Sequence, residues 1–222
     1  MGFAGSSTWS NSRLAASTWS GMIMLVIGIV GAIGAGKSEV LRLFGELGAR
    51  TVAADELSRE VLAPGAPALE QVREAFGDEY FDAEGNLIRR ALGNLIFRDE
   101  AARRRLDDLV HPLMTERLRE RLERWRTEGT VVAVVESAVL VEMGARPLVD
   151  KVLLVRAGEG KRLKRLGERD HLDEQETRRR LAAHERLALG EAPADFTINN
   201  DGDLDELRRQ VEHVWRKLVC SS

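Results

Sequence analysis

The sequence predicts an α/β protein: a five-stranded parallel sheet covered by helices on both faces. Three observations predict it. Short, near-continuous apolar runs at residues 25–30, 51–54, 130–135, 151–155 and 196–199 alternate with helical patterns, the signature of strands buried on both faces. The first run leads straight into a glycine-rich loop in which Gly31, Gly36, Lys37 and Ser38 satisfy the spacing G-x-x-x-x-G-K-[ST]. The length, 222 residues, suffices for one α/β core with an inserted subdomain and is short for two independent domains.

Taken in order, residues 1–21 are small and polar, with Ser-Thr-Trp-Ser at both 7–10 and 17–20 and a single charge, Arg13. They hold no apolar core of a signal peptide. They are expected to be disordered and functionless, an upstream extension before a start at Met22 or Met24. The apolar run from Met22 to Val30 is far below the roughly 20 residues that span a bilayer, so it reads as a buried strand. After the loop, Val40, Leu41, Phe44 and Leu47 share one face of a helix over 37–47 that Gly48 ends. A second strand over 51–54 gives way at Asp55 to a helix over 56–62, and Pro64-Gly65 breaks the chain.

Residues 67–128 carry almost no strand signal. They read as an arginine-rich helical insertion, interrupted by a turn at 82–86 and by Pro112. The core resumes with the strand that ends at Glu136, then the strand over 151–155. An arginine-rich pair of helices over 161–193 follows, its second helix started by Asp173 with Glu176 in capping-box spacing. The last helix starts at Asp203 with Glu206 and is expected to bury Leu204, Leu207, Val211, Val214 and Leu218. The α/β core is thus 22–66 with 129–160 and 194–222.

Lysine and arginine number 33 against 36 acids, so no overall field draws the chain to nucleic acid or a membrane. The single cysteine, Cys220, excludes a disulfide framework within the chain and suits a reducing cytoplasm.

Chance places the loop motif in roughly one chain of this length in a hundred. Its glycines let backbone N–H groups turn inward around phosphate oxygens, which makes it a nucleoside triphosphate site. Gly31, Ile33, Gly34, Ala35, Gly36, Lys37, Ser38 and Glu39 are the expected nucleotide contacts. Lys37 would reach the β- and γ-phosphates, and the Ser38 hydroxyl would sit on Mg²⁺. Glu136, at a strand end beside the loop, either orients Mg²⁺ or serves a helix macrodipole. Asp55, at the neighbouring strand end, either takes the proton of an attacking hydroxyl or is an N-cap. Arg165 and Arg169 lie four apart on one helix face, with Arg162 three before Arg165. Such a fork on transferring phosphate supplies roughly 4–7 kcal/mol in arginine-finger enzymes. His111 is either a packed residue or an acceptor contact, and the four histidines lack the spacing of a zinc site.

These motifs together resemble the dephospho-CoA kinases, over about residues 24–218. The resemblance is carried by residues 28–38, 52–55, 64–69, 76–77, 85–92, 96–97, 111–112, 140–142, 165–170 and 194–200. It implies a P-loop NTPase and kinase fold, a helical domain over 67–128 that holds the CoA precursor, and a lid over 161–193. It also implies transfer of the ATP γ-phosphate to the 3′-hydroxyl of the dephospho-CoA ribose, the last step of coenzyme A synthesis. Lys37, Asp55, Arg165 and Arg169 would then be catalytic, with Ser38 on the metal and Asn200 in the stretch beside the adenine. A monomer without nucleic-acid or membrane partners is expected. The chain departs from the family pattern at Ala32, Glu39, Ala53, Ala138, Arg162 and His184. Two other readings fit the loop: another small-molecule or nucleoside monophosphate kinase on this fold, and a degenerate module that only binds nucleotide.

Overall fold

The computed structural model describes residues 24–170, 173–187 and 193–220. The expectation for residues 1–21 lies outside them. Five strands form one parallel sheet: β1 (Leu25–Val30), β2 (Arg50–Ala53), β3 (Val132–Glu136), β4 (Lys151–Arg156) and β5 (Phe196–Asn199), in the order β2-β3-β1-β4-β5. The period-2 alternation of side chains divides the core. Val26, Val52, Ala133, Val135 and Val152 face one layer, and Ile27, Ile29, Val132, Val134, Leu153 and Ile198 face the other.

Helices α1 (Lys37–Glu46) and α8 (Leu204–Cys220) cover the second layer with Val40, Leu43, Phe44, Leu207, Val211, Val214 and Leu218. The opposite layer is covered by α2 (Ala54–Val61), α3 (Pro67–Phe76), α4 (Arg89–Arg98) and the long α5 (Glu100–Thr127). Helices α6 (Glu159–Asp170) and α7 (Glu174–Leu187) pack against each other between β4 and β5. Both anticipated caps form: the Asp173 carboxylate accepts from the Glu176 amide at 2.8 Å, and Asp203 from the Glu206 amide at 2.8 Å. The turn after α3 also forms, with Asp82 Oδ1 accepting from the amides of Glu84 and Asn86.

The structure corrects three expectations. Pro112 does not interrupt the insertion, because α5 runs through it. An interior proline costs about 3 kcal/mol. Val110, Met114, Leu118, Leu122 and Trp125, buried on one face on both sides of it, contribute roughly 1.5–3 kcal/mol each. Leu204 is 48% exposed rather than buried. Helical side chains lean back over the preceding turn, and the first residue of α8 has none to lie on. Finally, α2 begins at Ala54, so Asp55 lies inside its first turn. The N-cap position falls to Ala53 and makes no side-chain bond, which removes the capping role from Asp55.

Candidate active site

The loop between β1 and α1 carries its sequence in its shape. Gly31 and Gly36 sit at φ +147° and +91°, where a side chain is strained. A Cβ at Gly31 would lie 2.3 Å from the Val155 carbonyl oxygen, and one at Gly36 would lie 2.1 Å from Asn200 Nδ2. These two positions let the chain turn tightly against β4 and β5 before α1 starts, with the positive end of α1 facing the loop. Ser38 is exposed in the first turn of α1. Glu39 directs its carboxylate to Arg42, with Oε1 accepting at 2.6 Å, and that pairing holds its carboxyl below the usual range. The added negative charge next to the loop is therefore neutralised from its own helix.

The parallel register brings the acids to the loop. Glu136 stands beside both Ile29 and Ala53, so the end of β3 lies between the ends of β1 and β2. Lys37 Nζ is 3.8 Å from Glu136 Oε1 and donates to the Ala32 carbonyl at 3.3 Å. Both side chains are largely buried, at 10% and 13% exposure. Burial pulls the Lys37 ammonium down from its ordinary range, opposed by the charges of Glu136 and Asp55. Burial likewise pushes the Glu136 carboxyl up, opposed by Lys37 and reinforced by Asp55. Asp55 is exposed in the first turn of α2 and acts electrostatically on both. A buried cation flanked by two acids is poised for an anionic ligand carrying its own cation.

The arginines of α6 divide. Arg165 is half-buried against the loop, donating to the carbonyls of Gly34 at 3.4 Å and Ala35 at 3.3 Å. It also donates to the backbone and side-chain oxygens of Asn200 at 3.1 and 3.3 Å. Arg169, one turn later and exposed, adds its positive charge to the field at Lys37. Asn200 is buried just after β5, and its Nδ2 donates to the Ala35 carbonyl at 2.8 Å. The side chains of Arg165 and Asn200 thus grip the loop through its carbonyls. No sequence pattern announces that grip, because Ala35 and Asn200 are 165 residues apart. His111 lies apart from this cluster on α5, with Nε2 3.5 Å from Asp107, whose carboxyl is raised by burial. Their spacing of four on one helix was the available signal.

Oxygen donors from Ser38, Glu136 and Asp55 around the buried Lys37 suit a hard cation bound chiefly through phosphate. Among the described residues no cluster of three His, Cys, Asp or Glu forms a metal cage of its own. No described helix is long and apolar enough to cross a membrane.

Sheet order, loop and flanking helices define the class: a P-loop kinase fold. A solved structure of dephospho-CoA kinase from Campylobacter jejuni aligns at TM-score 0.64 and 22% identity, covering 90% of this chain and 99% of that one, a likeness of fold. The crystal structure of TT1252 from Thermus thermophilus aligns at TM-score 0.71 and 29% identity over 88% of this chain and 98% of that chain. The sequence goes further, since the dephospho-CoA kinase family profile matches residues 25–206. A dephospho-CoA kinase of Geobacter sulfurreducens is 38% identical over 194 residues, 87% of this chain and 98% of the relative. The chain therefore belongs to the dephospho-CoA kinase family. It is a phosphotransferase of a family that implies use of ATP.

Proposed function

We propose that this chain transfers the γ-phosphate of ATP to the 3′-hydroxyl of the dephospho-CoA ribose, the final step of coenzyme A synthesis, in the cytoplasm. The observation that carries the reading is the gathering of Lys37, Glu136 and Asp55 at the sheet edge beside the phosphate-binding loop. Family membership supplies the substrate.

In this reading the loop amides from Gly31 to Ser38 cradle the phosphates, and Lys37 neutralises charge on the β- and γ-groups. Ser38 and Glu136 would hold the Mg²⁺ that accompanies ATP, and the ion would supply neutralisation of phosphate charge. Asp55, exposed and facing the same cluster, takes the proton of the 3′-hydroxyl as that oxygen forms its bond to the γ-phosphorus. The bond from that phosphorus to the β,γ-bridging oxygen breaks, and ADP leaves. Arg169 adds positive charge at the transferring group, while Arg165 and Asn200 fix the loop on the adenine side. Residues 67–128 serve as the acceptor domain and 161–193 as the lid.

The test is to incubate the protein with ATP, Mg²⁺ and a panel of acceptors. Phosphate transfer to dephospho-CoA above all others is expected. Transfer to a nucleoside monophosphate but not to dephospho-CoA rejects the assignment, and ATP binding with no transfer at saturating substrates favours a nucleotide-binding module.

A further inference from the structure

We propose that Arg59 of α2 and Arg89 of α4 form the subsite for the diphosphate group of the acceptor nucleotide, one helical turn beyond Asp55. The inference rests on the function proposed above.

Position comes first. Asp55 and Arg59 are four apart on α2 and therefore lie on one face, separated by about 6 Å along the axis. In an adenosine 5′-diphosphate ester, C3′, C4′, C5′ and O5′ separate the 3′-oxygen from the first phosphorus, a span comparable with that turn. An acceptor whose 3′-hydroxyl meets Asp55 thus carries its diphosphate toward Arg59.

Charge comes second. Arg89 stands close enough to Arg59 for the two like charges to act on each other, and burial together with that repulsion pulls the Arg89 guanidinium down from its ordinary range. Among the described residues neither arginine has a hydrogen bond or carboxylate partner. The acids flanking Arg59 in sequence are engaged elsewhere. Glu56 accepts from Arg121 of α5 at 2.5 Å, and Glu60 accepts from Arg121 and lies 3.8 Å from Arg117. The two guanidinium groups thus act on each other while the carboxylates of Glu56 and Glu60 are engaged by Arg121 of α5. The repulsion is compounded at α4, whose first turn carries Arg89 and Arg90 and no acid, against the positive end of the helix. A doubly charged diphosphate relieves all of these conflicts, and the planar guanidinium fork matches its paired oxygens.

Both helices pack on α5, so the pair occupies the acceptor side of Asp55 rather than the loop side held by Lys37. The subsite is therefore assigned to the acceptor's phosphates and not to those of ATP. It explains how an enzyme can hold a ribose hydroxyl in line using the charged group nearest to it on the same nucleotide.

The test is steady-state kinetics on the full chain with Arg59→Gln, Arg89→Gln and the double variant, varying each substrate while the other saturates. Each substitution is expected to raise KM for dephospho-CoA by about 10- to 100-fold, the loss of a charge-assisted contact. KM for ATP should stay within about twofold. Arg59→Lys and Arg89→Lys should recover part of the loss, and thermal melting should match the wild type, since neither arginine has a partner in the fold to lose. An unchanged acceptor KM in the variants, or an equal rise in the ATP KM, overturns the subsite while wild-type transfer to dephospho-CoA stands. Absence of that transfer in the wild type overturns the proposed function, and the subsite with it.

Discussion

The two halves of the site are built from different materials. On the proposed nucleotide side the surface is backbone, shaped by positive-φ glycines and gripped by Asn200 and Arg165, with Lys37 and Glu136 buried beside it. On the proposed acceptor side the surface is side chain: Asp55 and Arg59 on α2 and Arg89 on α4, all exposed, with α2 tied to α5 by ion pairs such as Arg121 with Glu56. A backbone cradle binds any triphosphate, because peptide N–H groups are the same in every chain. Side chains on separate helices are free to vary, and in the proposed subsite they are where selection among acceptors would reside. The difference teaches that donor chemistry is set by local sequence and acceptor chemistry by tertiary packing.

The sharpest way to break this division is at Asp55, the residue where the halves meet. Asp55→Asn keeps the shape and removes the proton acceptor. Turnover is expected to fall by about 10²–10⁴-fold with both KM values little changed. The residue is exposed and caps no helix, so thermal melting should barely move. Near-normal turnover in this variant would remove Asp55 from the reaction and leave α2 as acceptor scaffold only.

A smaller effect is expected behind the loop. Asn200→Ala deletes the donor to the Ala35 carbonyl and is expected to cost about 1–3 kcal/mol in chemical denaturation. The KM for ATP should rise while that for the acceptor does not. The matching truncation in the acceptor half, Arg117→Ala, removes exposed ion pairs to Glu60 and Glu120 and should cost about 0–1 kcal/mol. Equal losses at the two positions would mean that the halves are not built differently.

The nucleotide half was readable from the sequence because its signals are local. An apolar run, a glycine spacing and a following helix specify β1, the loop and α1, and the acid ending β3 needs only parallel topology to reach Lys37. The grip of Arg165 and Asn200 on the loop was not readable, since it joins segments remote in sequence that only the β4–β5 pairing brings together. The start of α2 is not legible in the sequence, because Asp55 is a residue type that favours caps whereas the N-cap residue Ala53 offers no side-chain acceptor. Arg59 and Arg89 were hidden for a plainer reason. In an arginine-rich chain, neighbours alone distinguish a paired arginine from an unpaired one, and sequence spacing does not supply neighbours on another helix.

The continuity of α5 was hidden in the same way, and it supplies the last test. Pro112 has no N–H for the Asp108 carbonyl, and its ring crowds that carbonyl, yet the helix persists because residues buried on both sides hold it. Pro112→Ala restores one helical hydrogen bond, worth about 0.5–1.5 kcal/mol net. It also gains helix propensity, partly offset by the greater freedom of the unfolded chain. A net stabilisation of about 2 kcal/mol is expected in chemical denaturation, the cost of the interior proline less that offset. Because α2 and α4 both pack on α5, relaxing the helix at this point shifts the platform beneath Arg59 and Arg89 without touching the loop. The acceptor KM should therefore rise a few-fold while the ATP KM holds. A variant that is more stable and equally good with both substrates would show that acceptor geometry does not depend on the shape of α5, and that the two helices carry their arginines independently of their shared support.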